Sequence, residues 1–237
     1  GHALQDLALV GCSSFAAWNE KSEDGNLILA RNFDFYVNDA FAENKIAAFI
    51  KPKEGYPFMM VTWPGMIGAV SGMNLEGLTV TINASKSKIP LSAKTPISIL
   101  TREILQHAKN LDEAIAIAKK RKVFVSESIM VGSANDNKAI LIEVSPTKMD
   151  VYDVPNSDQL ICSNHFQGEA FTADKRNQEQ IVNSHSEYRF ERMQELLSEN
   201  KKINPKIASE ILRDKNGLNN LPLGYGNEKA LNQLMAH

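Results

Sequence analysis

The 237-residue sequence has only two cysteines, a formal net charge of −2 and no apolar run long enough to cross a membrane. Two cysteines cannot supply a disulfide framework, so the fold must depend on a hydrophobic core. The small net charge gives no electrostatic reason to expect nucleic acid or an anionic membrane as a partner. No basic-then-apolar signal peptide is visible, and the compartment, cytoplasmic or exported, stays open.

The sequence also lacks the spacings that hold metals and phosphates. His107, His165 and His185 do not follow a metal-ligand pattern such as H-x-x-x-H. The glycines at 65, 68 and 72 are interrupted by apolar residues and do not form a phosphate loop. We therefore expect neither a metal nor an organic cofactor.

What the sequence does contain is alternating groups of strand and helix patterns. Strands are predicted at residues 13–18, 27–31, 46–51, 58–63, 66–71 and 78–83, and again at 128–133, 139–144, 149–154 and 159–162. Helices are predicted at 97–108, 110–120, 185–198 and 205–213. Closely spaced strands favour antiparallel sheets. Strands followed by two helices, twice over, predict an α+β fold of two antiparallel sheets face to face with helix pairs outside.

Cys12 is the candidate nucleophile. It follows Gly11, whose missing side chain permits an unusual backbone geometry, and the predicted hairpin returns with Arg31 and Asp34. A nearby cation lowers the pKa of a thiol from about 8.5, so we expect Arg31 to favour the thiolate and Asp34 to hold the reacting groups. The alternative is a buried structural cysteine beside a surface ion pair. Cys162, which has no charged neighbours in sequence, is expected to be a core cysteine.

Two asparagines end strand patterns, Asn83 in Thr-Ile-Asn-Ala-Ser and Asn164 in Cys-Ser-Asn-His. A strand-terminal asparagine ordinarily begins a turn. Two such amides that converge in the fold could instead donate hydrogen bonds to an oxyanion, and losing one donor of that kind commonly costs about 10²–10³ in rate. Both interpretations stay open at this point.

Five sequence elements occur in one order: Gly11-Cys12, Arg31-Asn-Phe-Asp34, residues 71–78 followed by Ile82-Asn83, Ser163-Asn-His-Phe166 and Tyr188-Arg-Phe-Glu-Arg192. In this order they resemble the N-terminal-nucleophile (Ntn) hydrolases of linear amides. That group includes choloylglycine (bile salt) hydrolases, penicillin V acylase and acid ceramidase-like amidases. The forms Gly-Cys-Ser-Ser-Phe and Arg-Phe-Glu-Arg-Met look most like its acyl-CoA:6-aminopenicillanate acyltransferase branch.

The resemblance implies an αββα four-layer sandwich and an amidase that transfers the acyl group of an N-acyl amide through a thioester. It implies these site residues: Gly11 and Cys12 at an autocleavage site, Cys12 as nucleophile, Arg31 and Asp34 supporting it, Asn83 and Asn164 around the oxyanion, and Arg189 completing the polar network. An N-terminal cysteine would use its own α-amine, of pKa roughly 7.7–8.0, to accept the thiol proton. Residues 1–11 would be a leader remnant. Residues 12–237 would be one domain, truncated at its C-terminus because chains of this group continue with further strands.

Several alternatives stay open. Arg192 is the alternative to Arg189, and the position of Arg189 directly before Phe190 favours Arg189. A papain-type Cys–His pair is the alternative to the α-amine as the base. The acyl acceptor could be an amine instead of water. A catalytically silent binding relative is a further possibility, as is a homo-oligomer. Four residues are candidates for the substrate pocket: Met60, Trp63, Met66 and His165.

Overall fold

The computed structural model describes residues 9–36, 43–86 and 94–233. The strands are β1 (Leu9–Ala17), β2 (Ile28–Tyr36), β3 (Ile46–Ile50), β4 (Phe58–Thr62), β5 (Ser71–Asn74), β6 (Leu78–Ala84), β7 (Glu127–Ser133), β8 (Lys138–Val144), β9 (Met149–Tyr152) and β10 (Gln159–Cys162). The helices are α1 (Ile97–His107), α2 (Leu111–Lys119), α3 (Lys175–Asn183), α4 (Ser186–Glu199) and α5 (Pro205–Leu212). Residues 1–8 of the predicted leader remnant and residues 234–237 lie outside the described residues.

The strands form two antiparallel sheets. One has the order β10-β1-β2, and the other runs from β3 to β9 in chain order. Apolar residues of β1, β2 and β10 pack against α4 and α5, and those of β4, β6, β7 and β8 pack against α1 and α2. A third cluster joins β1 and β10 to β7 and β8 between the sheets. The layers are therefore helices, sheet, sheet, helices, and the predicted α+β sandwich is confirmed.

The register of β1 and β2 determines which side chains face each other. Cys12 lies opposite Phe33, and Gly11 lies opposite Asp34. Because side chains alternate along a strand, Cys12 shares a face with Ser14, whose Oγ donates to Asn83 of the facing sheet at 3.1 Å. Gly11 and Asp34 face the opposite way, toward the layer of α4 and α5.

The helices begin where the sequence supplies caps. Asn110 accepts a hydrogen bond from the backbone of Glu113 at 2.9 Å before α2, and Asn204 accepts one from Ile207 at 2.9 Å before α5. Each side chain satisfies a backbone N–H that has no partner within the first turn of its helix. The apolar face of α1 that the spacing predicted is buried at Leu100 and nearby residues.

The prediction of a strand at residues 66–71 was wrong. Residues 63–66 form a turn closed by a hydrogen bond from Met66 N to Trp63 O at 3.1 Å, with Gly65 at φ 82°. Ala69 then bonds to the backbone of Ser98 instead of a strand, so β5 begins only at Ser71. Ala69 and Val70 of this stretch are buried, whereas Ile67 is exposed.

Helix α3 was not predicted. Its sequence, Lys-Arg-Asn-Gln-Glu-Gln-Ile-Val-Asn, carries no apolar periodicity, and only Asn177 of it is buried. The signal was present in Asp174, which accepts hydrogen bonds from Arg176 and Asn177 as an N-cap. Residues 229–233 are not helical.

Candidate active site

The Cys12 backbone lies in a buried polar site at one end of the two sheets. Cys12 is 1% exposed, and its N–H donates to Asn164 Oδ1 at 2.8 Å. The same oxygen accepts from Arg189 Nη2 at 2.6 Å. The first strand, the segment after β10 and helix α4 therefore meet at the Gly11–Cys12 peptide bond. This nitrogen is the atom that a cleavage of the bond would release.

Arg31 lies on the same strand face as the Cys12 thiol. Its Nη1 donates to Ser71 Oγ at 2.6 Å and its Nη2 to the Ile82 carbonyl at 2.7 Å, and its guanidinium stacks 4.2 Å from the Phe33 ring centroid. These contacts hold the cation between β2 and β6.

Arg31 acts on the pKa of the Cys12 thiol in the expected direction, and burial opposes it. Burial raises the pKa of the thiol above its ordinary value, and Arg31 lowers it by less than burial raises it. Asp34 and Glu127 raise it further, while the backbone of Ala84 lowers it. A raised pKa disfavours the thiolate, so a base that takes the thiol proton would assist a reaction at Cys12. Burial also raises the pKa of the Cys162 thiol well above its ordinary value, in keeping with the expected core cysteine.

Asp34 lies on the other face of β2 from Arg31. The two residues are three positions apart, an odd spacing that places side chains on opposite sides of a strand. Asp34 is 1% exposed, and its Oδ2 makes no hydrogen bond with the described residues. Burial raises the pKa of this carboxyl to about 7, although Arg189 and Arg31 lower it. The side chains of Arg31 and Asp34 therefore lie on opposite faces of the sheet that β1 and β2 form, and only Arg31 shares the face of the thiol.

The two asparagine amides are occupied by main-chain groups. Asn83 Nδ2 donates to the carbonyls of Cys162 and Ser163 at 3.2 and 3.0 Å. Asn164 Nδ2 donates to the Ala84 carbonyl at 2.8 Å. The structure thus brings both strand ends together at Cys12, as expected, and their amides link β6 to the segment after β10. Their role toward an oxyanion stays a prediction.

The segment that carries Asn164 is held by buried side chains that the sequence analysis did not identify. Ser186 Oγ accepts from Asn164 N at 2.7 Å, and Asn177 bonds both the N–H and the carbonyl of Phe166, at 2.8 and 3.0 Å. Glu143 accepts the backbone N–H groups of Gln167 and Gly168, each at 2.8 Å. Side chains of three elements, α4, α3 and β8, therefore hold the backbone of residues 164–168.

Glu127 is a second acidic residue that the sequence analysis missed. It begins β7 opposite Ala84, and its Oε2 is buried without a hydrogen-bond partner among the described residues. Burial raises its pKa to about 8, with Arg31 lowering it. Its strand pattern gave no signal, because its proximity to Arg31 and Cys12 arises from the order of strands across two sheets.

The structure separates the two candidate arginines. Arg189 reaches Asn164 and the Glu228 carbonyl, the latter at 2.9 Å. Arg192 instead binds Asp214 at 2.8 Å and Glu195 at 2.7 Å. Arg189 is thus the arginine that the fold brings to Cys12, and Arg192 connects α4 to the chain after α5.

Gly11 does not have the unusual backbone geometry that was expected. It is an extended strand residue outside the positive-φ glycines of the chain. A β-carbon added at Gly11 would overlap the carboxamide of Gln233, whose Cδ would lie 2.7 Å away. A side chain at position 11 would therefore displace the carboxamide of Gln233.

Comparison with known sequences identifies the family. The profile of the acyl-coenzyme A:6-aminopenicillanic acid acyl-transferase family matches residues 18–227. The chain belongs to this family. The matched residues include Arg31, Asn83 and Asn164 but begin after Cys12. The resemblance stated from the sequence motifs is confirmed at the level of the family.

The chain is also similar to other proteins, one in sequence and two in structure. An uncharacterized protein of Archaeoglobus fulgidus is 27% identical over 154 residues, which cover 63% of this chain and 26% of that protein. A Caenorhabditis elegans N-acylethanolamine-hydrolyzing acid amidase ortholog has 20% identity and a TM-score of 0.65, covering 89% of each chain. A mutant conjugated bile acid hydrolase from Clostridium perfringens has 18% identity and a TM-score of 0.50, covering 73% of this chain and 58% of that one. The chain spans about a quarter of the length of the Archaeoglobus relative it matches.

The four residues predicted to line a pocket do not lie together. Trp63 packs 5.7 Å from the ring of Phe33, the strand partner of Cys12, and Met66 belongs to the same apolar cluster. Met60 is 3% exposed in that cluster. His165 lies elsewhere: its Nδ1 is 2.8 Å from Ser186 Oγ, and its ring packs 5.6 Å from Phe190. Their contact with a substrate stays a prediction.

A cavity of about 330 Å³ lies at the start of α1. Its lining is mostly apolar: Lys94, Pro96, Ile97, Ser98, Phe124 and Val125. Ile97 and Val125 belong to the same cluster as Phe33 and Trp63.

The described residues contain neither a membrane-spanning helix nor a cluster of metal-ligating side chains. No described helix has the length and apolarity needed to cross a membrane. In residues 9–36, 43–86 and 94–233, no group of three or more His, Cys, Asp or Glu side chains could hold a metal ion.

The buried carboxyls predict how the stability of the uncleaved chain depends on pH. Burial raises the pKa of Asp34 and Glu143 to about 7 and that of Glu127 to about 8, so the folded state binds protons that the unfolded state has lost. The unfolding free energy therefore falls between pH 6.5 and 8, by about 1.4 kcal/mol per pH unit for each extra proton bound. His165, whose pKa burial lowers to about 4, has the opposite effect only below pH 6.5.

This dependence is measured by thermal or urea unfolding of the Cys12→Ala chain across that pH range. The same measurement on Cys12→Ala/Asp34→Asn should show a shallower decline, because one of the three titrating carboxyls is gone. Stability that is constant or rises from pH 6.5 to 8 would contradict the assignment of buried, proton-binding carboxyls.

Proposed function

We propose that this chain is a cysteine Ntn amidase. It cleaves itself between Gly11 and Cys12 and then transfers the acyl group of a linear N-acyl amide to water through a thioester on Cys12. The observation that carries the proposal is the hydrogen bond of 2.8 Å from the Cys12 backbone nitrogen to Asn164, an oxygen that Arg189 also binds. A cysteine whose main-chain nitrogen is held in a buried polar site is suited to a mechanism that uses this nitrogen as an amine.

The proposed activation is intramolecular. The Cys12 sulfur bonds to the Gly11 carbonyl carbon, the bond from this carbon to the Cys12 nitrogen breaks, and the thiol proton passes to that nitrogen. Water then hydrolyses the thioester, which releases the residues before Cys12 and regenerates the thiol. Asp34 supports this step, since it lies opposite Gly11 and its Oδ2 has no hydrogen-bond partner among the described residues. Hydrolysis of the thioester to the Gly11 carboxylate releases one proton, which passes to the new α-amine, and the resulting α-ammonium beside Asp34 would give this buried carboxylate a counter-charge.

The proposed turnover uses the same groups. The α-amine takes the thiol proton, and the raised pKa of the Cys12 thiol in the uncleaved chain supports the use of such a base. The sulfur attacks the amide carbonyl, and the amine proton passes to the leaving nitrogen as the carbon–nitrogen bond breaks. Water then cleaves the thioester to the carboxylic acid. The apolar side chains of Phe33, the strand partner of Cys12, and of Trp63 support an apolar acyl group.

An amine acceptor is the second candidate, and the match to an acyl-transferase family favours it. The two activities share the thioester and differ only in what resolves it. Adding a primary amine to the reaction separates them: an acyltransferase forms a new amide in preference to the acid, and a hydrolase forms the acid alone.

The test of the proposed function follows mass and activity together. The wild type and Cys12→Ala are diluted serially, and intact mass and hydrolysis of fatty-acyl, phenoxyacetyl and bile-acid amides are followed over time. We expect the wild type to lose residues 1–11 at a rate independent of protein concentration, with activity appearing in step, and Cys12→Ala to do neither. A chain that hydrolyses amides while it still carries Gly11 would refute the mechanism.

A further inference from the structure

Gln233 lies directly against the proposed cleavage site, although 222 positions of sequence separate it from Gly11. Its side chain is buried, and a β-carbon at Gly11 would overlap its carboxamide. The contact is on the face of β1 that points toward α4, the face that Asp34 shares. Gln233 therefore packs on the residue that supplies the carbonyl of the proposed cleavage.

Gln233 also binds the arginine of the site. In the amide orientation that satisfies both partners, its oxygen accepts from Arg189 Nε at 3.1 Å and from Nη1 at 3.2 Å. Arg189 in turn donates to Asn164 Oδ1 at 2.6 Å, and this oxygen accepts from Cys12 N at 2.8 Å. One chain of hydrogen bonds thus extends from Gln233 to the nitrogen of the bond that would break.

The segment that carries Gln233 is docked by its own backbone. The Leu231 carbonyl accepts from Asn32 Nδ2 at 2.9 Å, and Asn232 N donates to the Asp214 carbonyl at 3.0 Å. The Glu228 carbonyl accepts from Arg189 at 2.9 Å. Residues 228–233 therefore supply Arg189 with two of its partners, and the guanidinium has its full set only when this segment is in place.

We propose that Gln233 is a positioning residue for cleavage of the Gly11–Cys12 bond, and that cleavage waits until residues 228–233 have docked. Gln233 acts in two ways. Its side chain packs against Gly11 and so fixes the scissile carbonyl beside the thiol. It also orients Arg189, which fixes Asn164 and the Cys12 nitrogen. The covalent step is the sulfur-for-nitrogen exchange at the Gly11 carbonyl described above, so this inference rests on the proposed function. Its consequence is that the first strand is not cut before the end of the described chain has folded.

Position 11 and position 233 are coupled sterically, and this makes the inference testable by a double-mutant cycle. Gly11→Ala, Gln233→Ala and the double variant are made as full chains by cell-free synthesis, and intact mass is followed with time. We expect Gly11→Ala to slow cleavage at least a hundredfold, because the new methyl displaces Gln233. In the Gln233→Ala background the same change should cost less than threefold, since the overlapping carboxamide is absent.

Gln233→Ala alone should slow cleavage roughly ten- to hundredfold, the scale on which small misplacements of reacting groups act. Gln233→Met, which keeps the volume but lacks the acceptor for Arg189, should also slow it. Unfolding of each substitution is measured in the uncleavable Cys12→Ala chain. A purely structural role would lower stability while leaving the cleavage rate of the folded chain unchanged.

The outcomes separate the two proposals. A wild-type chain that never cleaves overturns the proposed function and this inference with it. A wild type that cleaves, with Gln233→Ala and Gln233→Met folded and cleaving at the same rate, overturns only the inference. Additive effects of Gly11→Ala and Gln233→Ala would likewise overturn it, because the contact between the two residues would then have no effect on cleavage.

Discussion

Cys12→Ser should reduce amide turnover by about 10³-fold or more, and Cys162→Ser should leave it within a few-fold of the wild type. Both cysteines are buried, at 1% and 0% exposure, so burial alone does not distinguish them. Only Cys12 has its backbone nitrogen bound to the Asn164 and Arg189 pair and its thiol beside Arg31. Replacing sulfur by oxygen removes the better nucleophile while keeping its shape.

Cys162 is a matched control because it lies on the neighbouring strand. Cys162 is the residue opposite Ser14 in the same sheet, and it contacts the apolar layer between the sheets. The measurement is the initial rate on the most rapidly hydrolysed amide of the panel, with unfolding of each variant recorded to confirm that it folds. Equal losses from the two substitutions would mean that both cysteines are structural and would contradict the assignment of Cys12.

The architecture was predictable because its signals are local. Alternating apolar residues, β-branched runs and caps such as Asn110 and Asn204 mark elements within a few positions of themselves. The strand at residues 66–71 failed because Pro64 and Gly65 make a turn that local hydrophobicity does not show. Helix α3 failed for the opposite reason: it buries almost nothing, so it has no apolar period to detect.

The site was predictable only in part, because the sequence names candidate residues without showing which way their side chains point. The spacing of Arg31 and Asp34 in a strand already implies opposite faces, and in the structure Arg189 is the cation that lowers the pKa of Asp34 most. The net shift of the Cys12 pKa could not be derived from the sequence, because it depends on how deeply the thiol is buried.

Glu127, Glu143 and Gln233 were beyond the sequence for a different reason. Each reaches the site from a strand or segment more than 100 positions from Cys12, through strand order and docking. Nothing in the local pattern of a buried β8 strand distinguishes Glu143 from a surface residue. Only the folded chain shows that its carboxylate holds the backbone next to Asn164.

Arg189→Met should lower the rates of cleavage and turnover by about 10²–10³-fold, and Arg192→Met should leave both rates within a few-fold in the folded protein. The two arginines are three residues apart on α4, and both are buried, at 4% and 1% exposure. Arg189 binds the oxygen that holds the Cys12 nitrogen, so its loss frees Asn164 and removes a cation that lowers the pKa of Asp34. An effect of this size is typical for removing one preorganised donor at a reacting centre.

Arg192 should show the opposite pattern, a loss of stability without a loss of rate. Removing Arg192 leaves Asp214 and Glu195 without their cation, which should lower the unfolding free energy by about 1–3 kcal/mol. The comparison is made by urea unfolding in the Cys12→Ala chain and by intact mass and amide hydrolysis in the cleavable chain. Arg189→Lys tests geometry, since a lysine supplies the charge but not the fork that reaches Asn164 and Gln233 together, and it should restore little of the rate. If Arg192→Met slows cleavage as much as Arg189→Met while remaining folded, the site does not distinguish the two arginines and the polar network proposed around Cys12 is wrong.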